Sequence, residues 1–128
     1  MGDIPEDLLA FLQTTIGSIW ALDLMLTLRR QPLAPWTAPA LTAEMRANLQ
    51  LVSDILRRFE RAGLVAIVEP GRWIWRAASP ELDRLADSAA AAYAHAPLRV
   101  TRAIADSSNR RIQQFADAFR LRQDKDSS

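Results

Sequence analysis

One stretch of the sequence decides the fold: residues 48–65 read NLQLVSDILRRFERAGLV. Four apolar side chains recur there at helical spacing, namely Val52, Ile55, Leu56 and Phe59. Because an α-helix turns by about 100° per residue, these four share one face and are predicted to pack inward. Asn48 suits the N-cap, and Gly63 suits the end of the helix. The pattern predicts an amphipathic helix over about 49–61, with its other side open to another molecule.

A shorter helix is predicted directly before this one. Thr37 can cap a helix that begins near Ala38. Leu41 and Met45 then stand four residues apart on one side of it. The tight turn Arg46–Asn48 leads into the longer helix. Two helices joined by so short a turn are a helix-turn-helix candidate.

Two strand-like runs, Leu64–Glu69 and Arg72–Ala77, follow the longer helix. Between them stands Pro70-Gly71, where proline presets the first turn dihedral and glycine accepts the positive one. The sequence therefore predicts a β-hairpin, which would be the wing of a winged helix.

The second of these strands carries alternating tryptophans. Trp73 and Trp75 share one face of the hairpin, while Ile74 shares the other with Arg72 and Arg76. We expect the tryptophans to cover the core or a neighbouring helix. The alternative is that one of them is exposed to a partner or a ligand.

Helices are also predicted before the helix-turn-helix. Pro5–Thr15 is a short first helix, and Ile16–Arg30 is so apolar that it should lie at the centre of the fold. A buried lone carboxylate is costly, so we expect Asp23 to lie at the wet edge of that helix or to pair with an arginine. The connector Gln31–Pro39 is rigid with proline, and its Trp36 is predicted to plug the core.

Further helices are predicted after the hairpin. Ser79-Pro80-Glu81 is a strong helix start, and Leu98–Ala105 continues as helix after a break at Pro97. Ser107–Asn109 can cap a last helix before a frayed tail. The apolar stripes of the first and last of these helices are Leu82, Leu85, Ala86, Ala89 and Tyr93, and Ile112, Phe115, Ala116 and Phe119. These stripes exceed what a small winged helix needs, so a twofold dimer is expected to bury the surplus.

The fold class that these elements predict is mainly α with a small β-hairpin. Specifically, it is a winged helix-turn-helix with additional N- and C-terminal helices. We expect a single domain over 1–128, with the winged helix-turn-helix core at 16–77. Residues 1–15 and 79–122 would be helical extensions for packing or dimerisation, and 123–128 a tail.

Composition narrows the function classes. The 128 residues suffice for a core, and the absence of cysteine excludes thiol catalysis, disulfides and cysteine-based zinc sites. The N-terminus lacks the pattern of a signal peptide, and the apolar run Ile16–Leu28 is too short for a membrane span, so we expect a cytoplasmic protein. A net charge of +1 neither supports nor forbids a nucleic-acid partner.

The segment Asn48–Val65 and the hairpin after it resemble the recognition helix and wing of MarR-type winged-helix regulators, over about 60 residues. The run Gln114–Arg122 also resembles the end of a small group of uncharacterised bacterial winged-helix proteins. The first resemblance implies a DNA-binding regulator of transcription. Its second helix would lie in the major groove and its hairpin on the backbone or in the minor groove.

The resemblance also implies a set of DNA-binding residues. Gln50, Leu51, Ser53, Asp54 and Arg57 would face base edges, with Gln50 and Ser53 reading them. Phosphates would be held by Arg57, Arg58, Arg72 and Arg76, with Asn48 at the start of the helix.

Charge in this region is modest. Residues 44–76 carry six arginines and four acids, a net +2 that a dimer would double. Asp54 admits two consequences: it repels phosphate, or it accepts a hydrogen bond from cytosine N4. Of these two, repulsion is the one we expect.

Residues with catalytic chemistry are sparse. His95 is the one histidine, placed at a helix end where a cation interacts well with the helix dipole, so we interpret it as a structural cap. Ser107 and Ser108 have no activating histidine or lysine nearby in sequence, and no glycine-rich phosphate loop occurs. We therefore expect no enzyme, no metal site and no cofactor.

Two hypotheses remain open. In the first, a homodimeric regulator places the helix over about 49–61 into double-stranded DNA. In the second, the same surface, with Leu51 and a wing tryptophan, binds another protein with little or no DNA binding. The near-neutral charge and Asp54 favour the second hypothesis.

Overall fold

The computed structural model describes residues 4–106 of the chain, of which about 69% are helical. A single two-stranded antiparallel sheet accompanies the helices in this range. The prediction of a mainly α chain with a small hairpin is therefore confirmed. The predicted last helix from Ser107 and the tail lie outside the described residues. In chain order the elements are α1 (Glu6–Ala10), a π-helical segment (Phe11–Ile16), α2 (Ile19–Arg30), α3 (Ala38–Met45), α4 (Leu49–Ala62), β1 (Val65–Glu69), β2 (Arg72–Trp75), α5 (Pro80–His95) and α6 (97–106).

The chain bends sharply between the π-helical segment and α2. The prediction that α2 starts at Ile16 is wrong, since Ile16 ends the preceding segment. The hydroxyl of Ser18 accepts a hydrogen bond from the N–H of Ala21 at 3.1 Å, and this N-cap starts α2 at Ile19. The two helical stretches meet at 99°.

Among residues 4–106, no single helix is both long and apolar enough to cross a membrane.

Helix α2 lies in the core, as its composition predicts. Six of its residues are buried: Ala21, Leu22, Leu24, Met25, Thr27 and Leu28. Asp23 is exposed, so the prediction that it occupies the wet edge of the helix is confirmed. The buried side chains form one hydrophobic cluster that runs from Leu8 to Ile104.

Helices α3 and α4 form the predicted pair. The hydroxyl of Thr37 accepts a hydrogen bond from the N–H of Ala40 at 3.2 Å, which caps α3. Arg46 ends α3 in the left-handed conformation, with φ of 54°. Asn48 Oδ1 accepts a hydrogen bond from the N–H of Leu51 at 3.1 Å and caps α4. The left-handed Arg46 and the Asn48 cap therefore define the turn between the two helices.

The hairpin pairs β1 with β2 around Pro70-Gly71, in the register Val65 to Trp75 and Ile67 to Trp73. A backbone bridge joins its second strand to the connector before α3, with two 2.8 Å hydrogen bonds between Trp36 and Trp73. Trp36 is half-buried against the core, which agrees with its predicted role.

The end of β2 is covered on both faces. Trp75 is buried as expected, and its indole N–H donates to Asp83 of α5 at 3.3 Å. Ile74, which shares the opposite face with Arg72 and Arg76, is buried as well. The position of a side chain on a strand gives its face, whereas the cover over each face depends on the tertiary structure.

Arg29 connects α2, the hairpin and α5. Its guanidinium lies 5.4 Å from the centre of the Trp75 ring and forms an ion pair with Asp87 of α5. The Arg29 side chain is largely buried, so removal of Asp87 would leave a poorly solvated cation. This contact holds the base of the hairpin against two helices.

The helices after the hairpin start where the sequence predicts. Ser79 caps α5, since its hydroxyl accepts from the N–H of Leu82 at 3.2 Å. The helix is interrupted at Ala96, and α6 begins at residue 97. The predicted break is therefore confirmed, but it lies one residue before Pro97. Gln13 Nε2 donates to the carbonyl of Ala103 at 3.0 Å, which ties α6 to the N-terminal helices.

Candidate nucleic-acid interface

The outer side of α4 is the part of the molecule that the sequence pattern leaves free for a partner. The predicted inward residues Val52, Ile55, Leu56 and Phe59 are all buried. Gln50, Asp54, Arg57 and Arg61 are exposed and lie opposite them, because they recur at helical spacing. We call these four residues the outer face of α4. It carries positively charged, negatively charged and neutral hydrogen-bonding side chains.

Three predicted site residues come together on the outer face. Asp54 Oδ1 accepts hydrogen bonds from Gln50 Nε2 at 3.0 Å and from the Arg57 guanidinium at 2.5 Å. More than half of the side-chain surface of Arg57 and of Asp54 is exposed. The three side chains, which we call the Asp54 cluster, are therefore bonded to one another and still open to a partner.

Arg58 lies apart from the Asp54 cluster. Its guanidinium donates to the carbonyls of Thr15 and Ile16, both at 3.2 Å. These carbonyls belong to the last residues of the π-helical segment, where helical carbonyls lack an intrahelical partner. Arg58 was predicted to bind phosphate together with Arg57, but the structure points it to the flank of α4 that faces the N-terminal helices.

Leu51 and Ser53 of α4, which were also predicted to face base edges, are less exposed than that prediction requires. Leu51 is half-buried and packs against the core, so it does not present an open apolar surface. Leu49 is instead 49% exposed at the start of the helix. Ser53 is half-buried on the same flank of the helix as Leu49. Asn48 is exposed, although its side-chain oxygen is engaged in the cap of α4.

The hairpin contributes two exposed arginines. Arg72 Nε lies 3.4 Å from a carboxylate oxygen of Glu69, its direct partner across the turn. Arg76 follows the end of β2, and in the described part of the chain it has no acidic partner. The structure thus places one paired and one unpaired cation on the hairpin.

Apolar side chains also stand open on the hairpin. Ile67 is 46% exposed and Val68 is 41% exposed, both on β1. Trp73 is half-buried and packs partly against the core. The sequence pattern singled out the tryptophans, whereas the more open apolar residues of the hairpin lie on the other strand.

No family model, curated protein or solved structure matches this chain. The assignment of the interface therefore depends on its geometry and charge.

Groups for metal binding or catalysis are sparse in the part of the chain that the structure describes. Within residues 4–106, no three His, Asp or Glu side chains are grouped so as to hold a metal ion. His95 is exposed in the last turn of α5, which agrees with the predicted place for a cation at a helix C-terminus. Ser107 and Ser108 lie outside the described residues.

Arg61 also lies on the candidate interface, although the sequence interpretation omitted it. It stands four residues after Arg57 on the outer face of α4, and its Nε donates to the carbonyl of Arg57 at 3.4 Å. A helical projection at about 100° per residue would have placed it there and would have moved Arg58 to the flank. The helical periodicity that identifies the buried face of α4 therefore also predicts its outer face.

Proposed function

We propose that the chain is a DNA-binding regulator of transcription that acts in the cytoplasm as a homodimer. In this proposal α3 and α4 are the helix-turn-helix and the β1–β2 hairpin is the wing. The observation that carries the proposal is the outer face of α4, which is exposed, polar and arginine-bearing. The opposite face of the same helix is buried in the core. An exposed helix of this kind fits the major groove of B-DNA.

The hairpin supports the same proposal. It follows α4 directly, and the bridge from Trp73 to Trp36 fixes it to the connector that enters α3. Arg72 and Arg76 are exposed on it and could reach the phosphate backbone beside the groove. A second copy would present the same surface again, which raises the number of phosphates neutralised.

A titration against mixed double-stranded DNA tests the proposal. Anisotropy of labelled genomic fragments should show binding at low salt that falls steeply as salt rises, because counterion release accompanies phosphate contacts. Arg57→Ala and Arg72→Ala should each weaken that binding and leave the melting temperature nearly unchanged.

Arg84→Ala is the matched control for these two variants. Arg84 is an exposed arginine with an acid three residues before it, Glu81 at 3.9 Å, but it lies on α5. Its removal should leave DNA affinity unchanged. Negligible affinity of the unaltered chain at low salt would contradict the proposal, and unaltered affinity in both Arg57→Ala and Arg72→Ala would mean that the DNA face is misassigned.

A protein-binding module is the second candidate function. The exposed Leu49, Ile67 and Val68 favour it, as do the acids that partner Arg57 and Arg72. Apolar side chains in the open contribute more to a protein interface than to contacts with phosphates. Absence of DNA binding at low salt would leave this candidate as the better one.

A further inference from the structure

The Asp54 cluster has the hydrogen-bonding pattern that complements one kind of base pair. The Arg57 guanidinium uses one nitrogen to bond Asp54, and its other nitrogens have no acceptor among the described residues. Both donors to Asp54 contact the same oxygen, Oδ1, so Oδ2 receives no hydrogen bond within residues 4–106. The pair therefore presents free donors beside a free acceptor.

A G·C pair offers the complementary groups in the major groove. Guanine presents two acceptors, N7 and O6, and cytosine presents the N4 donor. An A·T pair presents a donor between two acceptors, so a guanidinium placed over it would meet the adenine N6 amino group. Arg57 donating to guanine while Asp54 accepts from cytosine satisfies the G·C pattern alone.

The ion pair with Arg57 also changes how the Asp54 carboxylate affects contact with DNA. A phosphate that approached Arg57 would approach the Asp54 carboxylate as well, so the two charges offset each other at the backbone. A base edge carries acceptors and donors without net charge and is not repelled. Asp54 therefore weakens the attraction of Arg57 to phosphates but not its attraction to the acceptors on a base edge.

Pre-organisation strengthens this effect. A free arginine side chain has many rotamers, and ordering it on binding costs conformational entropy. Asp54 favours one arrangement of Arg57 before DNA binds, and Gln50 in turn bonds Asp54. We propose that the Asp54 cluster makes α4 select a G·C pair, with Arg57 as the base-contacting residue and Asp54 as its positioning residue. This inference rests on the proposed function.

Selection from a library of random double-stranded DNA by the full-length chain tests the proposal. The enriched sequences should contain a fixed G·C pair in each half-site, preferred by about tenfold or more over A·T. With Arg57→Ala that preference should disappear. With Asp54→Asn the chain should bind mixed DNA more tightly and with a steeper salt dependence, by about one unit of slope per chain, yet tolerate other base pairs at that position.

The Glu69–Arg72 pair on the hairpin supplies the matched control. It is also an exposed ion pair three residues apart, but its contact of 3.4 Å is looser than the 2.5 Å of the Arg57–Asp54 pair, so Arg72 is freer to contact a phosphate. Arg72→Ala should weaken binding to all sequences alike and leave the selected motif unchanged.

Two outcomes would overturn the inference in different ways. If the chain enriches a motif that keeps all its G·C preferences in Arg57→Ala, or that is relaxed equally by Arg72→Ala, the base assignment is wrong while the proposed function stands. If no DNA is retained at low salt by the unaltered chain, the proposed function is wrong and the inference is wrong with it.

Discussion

Arg57 and Arg58 are neighbours in sequence, yet their guanidinium groups have different partners. Arg57 bonds an acid on the open side of α4, and Arg58 bonds two backbone carbonyls of the π-helical segment. A rotation of about 100° between successive helical residues accounts for the separation. At the scale of single residues, both arginines are exposed, but only Arg58 also bonds the backbone of a distant segment.

Arg58→Ala should therefore destabilise the chain. It removes a charged donor from the carbonyls of Thr15 and Ile16, and we expect a loss of about 1 kcal/mol in the free energy of unfolding. Arg57→Ala is the control, because its ion pair is exposed on one helix and should contribute less than about 0.5 kcal/mol. Urea denaturation of both variants measures the difference. Equal stability of the two would contradict the structural role of Arg58.

At the scale of elements, the joint between α4 and the hairpin is a tight turn. Gly63 ends α4 with φ of 81°, and its carbonyl accepts a hydrogen bond from the N–H of Ala78 at 2.7 Å. A Cβ at residue 63 would lie 2.9 Å from the Cβ of Ala78. Gly71 at the hairpin tip also has a positive φ, but a Cβ there would meet nothing within 4 Å.

Gly63→Ala should cost more stability than Gly71→Ala. Both substitutions place a side chain at positive φ, which costs about 1 kcal/mol or somewhat more. Gly63→Ala adds the clash with Ala78, so we expect a total of at least about 2 kcal/mol. Thermal unfolding compares the two variants.

The double variant Gly63→Ala with Ala78→Gly isolates the clash. Removal of the Ala78 methyl group should recover part of the loss that Gly63→Ala causes. No recovery, or an equal cost for Gly63→Ala and Gly71→Ala, would mean that the α4–hairpin joint is looser than described.

At the scale of the whole molecule, the helices outside the α3–α4 pair and the hairpin are the expected site of dimerisation. Helix α6 packs beside the N-terminal helices, and a cavity of about 790 Å³ opens there, lined by both. Leu98 on α6 is 70% exposed at this cavity. An apolar side chain so placed is suited to an interface between two copies.

Light scattering on the purified chain at micromolar concentration should give twice the mass of one chain. Leu98→Glu should lower that mass, because it places a charge in the expected interface. Leu33→Glu is the control, since Leu33 is 86% exposed in the connector between α2 and α3. A mass near one chain without any substitution would contradict the homodimer.

The sequence by itself determined the element types and most of their bounds. Thr37, Asn48 and Ser79 cap the helices that they were predicted to cap, and Pro70-Gly71 forms the predicted hairpin turn. These signals act within about four residues, so they can be recognised without knowledge of the rest of the chain. The start of α2 was misplaced by three residues because apolar composition outweighed the Ser18 cap.

The tertiary structure alone decided which predicted site residues bond to distant parts of the chain. The carbonyls that engage Arg58 come from residues more than forty positions earlier, and α2 and α5 supply the partners of the buried Trp75. Helical periodicity separates an inner from an outer side but does not say which flank another element will cover. That depends on contacts between distant parts of the chain, which only the packed fold brings together.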